Sequence, residues 1–121
     1  MVGLPDNGQF LEQYQRAIAA AKQASATEPK AVVASYDAAS HLIVIRLNSG
    51  AVFSFSPDIT QGLAGASAED LAAVEITPSG AGLHWKELDA DFSVPGLLGG
   101  RFGTRAWMIK LQEQWAGQQA S

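Results

Sequence analysis

Ala31-Val32-Val33-Ala34-Ser35-Tyr36-Asp37, His41-Leu42-Ile43-Val44-Ile45-Arg46-Leu47 and Ala51-Val52-Phe53-Ser54-Phe55 follow one another with only three residues between successive segments. Each is rich in β-branched or aromatic residues and alternates between two faces, the signature of strands. In the first, Val33, Ser35 and Asp37 alternate with Val32, Ala34 and Tyr36. In the second, Ile43, Ile45 and Leu47 alternate with Leu42, Val44 and Arg46, and in the third Phe53 and Phe55 share a face. Asp37-Ala38-Ala39-Ser40 is a short turn, and Asn48-Ser49-Gly50 supplies residues that tolerate positive φ in a tight hairpin. The pattern predicts a three-stranded antiparallel meander over 31–37, 41–47 and 51–55. Apolar residues on both faces require cover on parts of each.

Helices flank this unit. Residues 7–26 read as one, capped by Asp6 or Asn7 with Gln9 completing a capping box. Phe10, Tyr14 and Ile18, with Leu11, Ala17 and Ala21, form its apolar stripe, while Glu12, Gln13, Arg16 and Gln23 point elsewhere. Packing on the core is the first expectation for that stripe, and docking on a partner the alternative. Glu28-Pro29-Lys30 ends the helix, because the residue before proline is pushed out of helical geometry. Ser56-Pro57-Asp58 stops the third strand. Ser67 with Asp70 then has the capping pattern for a short helix through Val74 that covers the sheet. Glu75-Ile76-Thr77 reads as a brief strand and Pro78-Ser79-Gly80 as a turn. Thr104 can cap a last helix ending near Gly117, on which Trp107, Leu111 and Trp115 recur every four residues beside Met108. Those indoles either close the core or form an interface.

The expected class is α+β: a small antiparallel sheet, the meander plus short strands, with N- and C-terminal helices. Residues 1–30 carry the first helix, 31–100 the core and 101–121 the last helix, all within one domain. At 121 residues, 47% hydrophobic and 17% charged, the chain can bury a core without staples. It has no cysteine, which fits a reducing compartment. Met1-Val2-Gly3-Leu4-Pro5-Asp6 lacks the pattern of a signal peptide, and Leu42-Ile43-Val44-Ile45 is far too short to span a bilayer. A cytoplasmic location is expected. The net charge is −4, and the eight cations are scattered apart from Arg101, Arg105 and Lys110, which makes nucleic acid a poor partner for a lone chain.

Gly80 to Gly100 is the segment with the most varied chemistry. His84, Glu87, Asp89 and Asp91 fall close together, but the only other histidine is His41, and Asp89-Ala90-Asp91 is just a fragment of a calcium loop. No metal or cofactor is expected. The residues read structurally: Gly80 and Gly82 for a turn or close backbone approach, Trp85 and Leu88 as core plugs. His84, Asp89 and Asp91 then pin an irregular segment through loop amides. No serine sits in a nucleophile elbow, and Gly96, Gly99, Gly100 and Gly103 lack the Gly-Lys-Ser/Thr ending of a phosphate loop. They read as a flexible joint before the last helix.

From Val32 to Gly100 the chain resembles the bacterial family catalogued as domain of unknown function 2442. The likeness rests on Tyr36-Asp37, on Leu42-Ile43-Val44 with Asn48-Ser49-Gly50 and Phe53, and on Ala66-Ser67-Ala68-Glu69-Asp70-Leu71. It is strongest at Gly80-Ala81-Gly82-Leu83-His84-Trp85, Leu88-Asp89-Ala90-Asp91 and Ser93-Val94-Pro95-Gly96-Leu97-Leu98. The resemblance implies a compact α+β domain without established catalytic residues, and gene pairing suggestive of toxin and antitoxin. Some relatives continue into a basic tail or a helix-turn-helix domain, and neither pattern occurs in these 121 residues.

The leading expectation is therefore a non-enzymatic protein-binding module, antitoxin-like in role. It would present a sheet face or the surface formed by Trp107, Met108, Leu111 and Trp115 to a small, basic protein. The alternative is a DNA-binding regulator that dimerises to gather Arg101, Arg105 and Lys110. A homodimer is permitted without being required.

Overall fold

The computed structural model describes residues 7–120. In chain order it contains α1 (Asn7–Thr27), β1 (Ala31–Asp37), β2 (Leu42–Leu47), β3 (Val52–Phe55), a 3₁₀ turn (Pro57–Ile59), α2 (Ala68–Ala72) and β4 (Glu75–Ile76). There follow β5 (Gly82–Trp85), β6 (Ala90–Ser93), α3 (Val94–Leu98) and α4 (Arg105–Ala120). Two three-stranded antiparallel sheets, β1-β2-β3 and β4-β5-β6, make it an α+β protein. The meander is as expected. The short strands assemble into a second sheet of their own. The Asp6 cap and the leader reading of Met1–Asp6 lie outside the described residues, as do the side chains of Ala21 and Gln23.

The first sheet departs from simple alternation at one place. Ala31 pairs with Leu47 but Val33 pairs with Arg46, so one extra residue is accommodated in β1. That bulge moves Val32 into solvent and lets Ala31, rather than Val32, join Ala34 and Tyr36 on the core side. His41 is not in β2 as expected: its φ of 57° closes the β1–β2 turn in the left-handed region. Asp37 builds that turn, accepting from the Ala39 N–H at 3.1 Å and from the Ser40 hydroxyl at 2.7 Å. At the other turn Asn48 has a second task. Its side chain accepts from the Lys30 N–H and donates to the Glu28 carbonyl, and its own N–H donates to the Lys30 carbonyl. These bonds tie the end of α1 to the sheet.

The core lies between the sheets. Ile43, Ile45 and Phe55 from the first meet Leu83 and Trp85 from the second, with Leu63, Leu71, Val94 and Leu97 closing the sides. Ser67 caps α2 as its sequence predicts, accepting from the Asp70 N–H at 3.1 Å, and this aims Leu71 inward. Trp85 is completely buried, and its indole N–H donates to the Leu71 carbonyl at 3.1 Å. Among the described residues every buried side-chain polar atom has a partner.

The end helices behave differently from the core. Every α1 residue from Phe10 to Ala20 is exposed, so the expected packing of the Phe10–Tyr14–Ile18 stripe on the core does not occur. Helix α4 runs through Gly117 to Ala120 instead of ending there, and Gln112 to Gln118 are all exposed. Among the described residues no helix is long and apolar enough to cross a membrane.

Candidate functional site

The block that reads as an irregular segment is a hairpin. Leu83 and Trp85 alternate inward against Gly82 and His84, and β6 pairs residue for residue with β5, His84 opposite Asp91 and Trp85 opposite Ala90. The turn between them uses Asp89, at φ 48°, where a glycine would be usual. Leu88 is half-buried against the core. At Gly82 a Cβ would make a tight 3.1 Å contact with Thr77 Cγ2, and Thr77 Oγ1 accepts from the Gly82 N–H at 3.1 Å. Gly80, at φ 79°, turns its carbonyl onto the Ala31 N–H at 2.7 Å and so joins the two sheets.

The acids of this block do not pin loop amides as expected. Asp91 accepts from His84 Nδ1–H at 2.6 Å across the two strands, and Asp89 and Asp91 are both exposed. Both line an open cleft of about 510 Å³ that also holds Gln61, Ser93, Arg101 and Thr104. Arg101 therefore contributes its charge to a cleft that already contains two carboxylates, a mixed potential rather than a phosphate-binding one. The Ser93 hydroxyl on the same cleft serves as the cap of α3, accepting from the Gly96 N–H.

A second histidine pair was not foreseen in the sequence. His41 Nε2–H donates to Asp58 Oδ1 at 3.0 Å, which leaves Nδ1 to accept from the Tyr36 hydroxyl at 2.7 Å. The chain Tyr36–His41–Asp58 links the β1–β2 turn to the 3₁₀ turn. Asp37 nearby has its carboxyl held below the usual carboxylate value by the Ser40 hydroxyl first and the Ala39 N–H second.

The glycine patch is a pinned joint, not a flexible one. Gly99 and Gly100 end α3 in a Schellman motif: Arg101 N–H donates to the Gly96 carbonyl and Gly100 N–H to that of Leu97. At Gly103 a Cβ would lie 2.6 Å from Trp107 Cδ1 and 2.7 Å from Gln61 Oε1. Gln61 grips both sides of this glycine, its N–H donating to the Phe102 carbonyl and its Oε1 accepting from the Thr104 N–H, each at 2.8 Å. Thr104 caps α4 as expected, accepting from the Trp107 N–H at 3.2 Å.

The two indoles of α4 then part company. Trp107 is half-buried and donates its Nε1–H to the Ile59 carbonyl at 2.8 Å. Trp115, two turns on, is 64% exposed, so closure of the core by both indoles is not what the structure shows. Met108, Leu111 and Trp115 with Ile59 and Phe102 form an apolar groove of about 370 Å³.

Residues 31–103 match the family model described as "Protein of unknown function (DUF2442)". The chain belongs to that family. The matched stretch begins at β1 and ends at Gly103, so it holds both sheets and leaves α1 and α4 outside. A crystal structure of a protein of unknown function from Rhodospirillum rubrum is similar, at 51% identity and a TM-score of 0.66, over 68% of this chain and 99% of that one. The solution structure of an uncharacterized protein from Chromobacterium violaceum is similar at 28% identity and a TM-score of 0.65, over 90% and 95% of the two chains. No curated protein matches.

Sequence reasoning singled out Gly80, Gly82, Trp85 and Leu88, and the structure places all four in or beside the hairpin. It missed Gln61, Ile59 and the Tyr36–His41–Asp58 chain. Nothing local marks Gln61, Ile59 or the His41–Asp58 pair, because each acts across 17 to 48 residues of sequence.

Proposed function

We propose that this protein is a binding module that recognises another polypeptide through α1 and α4 and carries out no catalysis. One observation carries the reading. Both helices leave the family core with large apolar side chains in solvent: Phe10 at 56%, Tyr14 at 57% and Trp115 at 64% exposure. A folded domain that has already buried Trp85, Ile43, Ile45, Leu63, Leu71 and Leu83 in its core gains nothing from such stripes by itself. Clustered aromatics beside a groove are what protein interfaces use as anchors.

Whatever covers these stripes, a net charge of −4 also attracts basic proteins at long range. The antitoxin-like role implied by the family resemblance is one pairing of that kind.

A photoreactive phenylalanine analogue at position 14 or 115, illuminated in the host cell, tests the reading. A discrete adduct with one polypeptide is expected at both positions and none at the exposed Glu69. Illumination that yields no adduct at either helix would remove α1 and α4 as a binding surface.

A further inference from the structure

The exposed stripes of α1 and α4 are complementary to each other. We infer that the polypeptide they recognise is a second copy of this chain, with α1 of each protomer lying in the α4 groove of the other in a closed two-fold dimer. This rests on the reading of α1 and α4 as the binding surface.

Three observations support a self-partner. The first is shape. Phe10 and Tyr14 stack at 6.5 Å between ring centroids, and Ile18 extends their row by one turn, making a ridge along α1. The groove beside α4 repeats at the matching three- and four-residue spacing through Met108, Leu111 and Trp115.

The second is polarity. Gln13 and Gln15 flank the α1 ridge, and Gln112 and Gln114 flank the α4 groove. The charged residues Glu12, Arg16 and Glu113 fall on the far sides of their helices by the 3.6-residue repeat. Interface cores are depleted of charge in this way, and a carboxamide can both donate to and accept from another carboxamide.

The third is area. The exposures of Phe10, Leu11, Tyr14, Ile18 and Trp115 amount to on the order of 600 Å² of side chain per protomer. Burying that on both copies removes about 1,200 Å², the lower bound for a stable, specific interface. A reciprocal contact supplies it twice from one surface, as a two-fold axis does.

Sedimentation velocity on the full chain tests the proposal across low to high micromolar concentrations. The expected species has twice the 12.7 kDa mass of the chain. Tyr14→Gln and Trp115→Gln change only side chains exposed in the protomer. Each should leave the circular dichroism unchanged and weaken association at least about tenfold. Because the chain has no cysteine, Tyr14→Cys mixed with Leu111→Cys should give a disulfide between copies faster than either variant alone.

A dimer indifferent to both glutamine variants, or growth beyond the dimer, overturns the arrangement. So does a chain that stays monomeric at every concentration. In that case iodide quenching, compared with Trp115→Phe, separates the two ideas. An accessible Trp115 leaves the binding surface standing with another occupant, whereas a shielded one means α4 is covered by its own chain and removes the surface as well.

Discussion

Trp107 donates its indole N–H to the carbonyl oxygen of Ile59 at 2.8 Å, across 48 residues of sequence. This bond attaches the base of α4 to the 3₁₀ turn, and with the Gln61 contacts it sets the direction in which the helix leaves the core. Trp107→Phe keeps most of the apolar contact and removes the donor. A neutral hydrogen bond at a half-buried site is worth about 1 kcal/mol, so the urea midpoint should fall modestly. Amide exchange should quicken in α4 before it does so in the sheets.

Gly103→Ala should cost more. The new methyl would stand 2.6 Å from Trp107 Cδ1 and 2.8 Å from Gln61 Cβ, with little room for either to give way. Overpacking of this kind costs roughly 1–3 kcal/mol. Gly117→Ala is the control, since a Cβ there meets nothing within 4 Å, and a helix gains about 1 kcal/mol from that exchange. Opposite shifts in melting temperature are expected.

Trp85→Phe should be among the most damaging conservative changes. The ring is completely buried and its N–H satisfies the Leu71 carbonyl. The smaller ring leaves a void and an unpaired carbonyl, each worth on the order of 1–3 kcal/mol. Denaturant unfolding should show the loss, and a variant within about 0.5 kcal/mol of the parent would mean the indole is not the core plug described here.

Asp37 gives a pH prediction with a definite sign. Its folded carboxyl titrates below the ordinary value of 3.8 because the Ser40 hydroxyl and the Ala39 N–H favour the carboxylate. A group with a depressed folded pKa contributes stability that is present above its unfolded pKa and lost as pH falls through the folded one. The stability difference between the parent and Asp37→Asn should therefore be constant above pH 3.8 and shrink below it. Urea midpoints measured at successive pH values check this, and a difference that grows on acidification would contradict it.

Some of the fold could be read directly. The meander was legible because Ile43, Ile45 and Leu47 alternate strictly and Gly50 marks the hairpin, both local facts. Ser67 with Asp70 gave away α2 for the same reason. The β5–β6 hairpin was harder: each strand has four residues, and its turn hides the left-handed position under Asp89. The bulge at Val32 was invisible, since only pairing with β2 shows that Ala31 and not Val32 faces inward.

The candidate surface divides along the same line. Periodicity alone determined that Phe10, Tyr14 and Ile18 share one face of α1 and that Trp107 and Trp115 share a stripe on α4. It could not assign the two indoles different fates, because a helical repeat records which residues share a face and not what that face meets. Only the tertiary structure decided that Gly103, Gln61 and Ile59 hold the first indole against the 3₁₀ turn while the second stands two turns out in solvent. That decision depends on where the 3₁₀ turn ends in space, a distance set by the packing of both sheets and absent from any local run of residues.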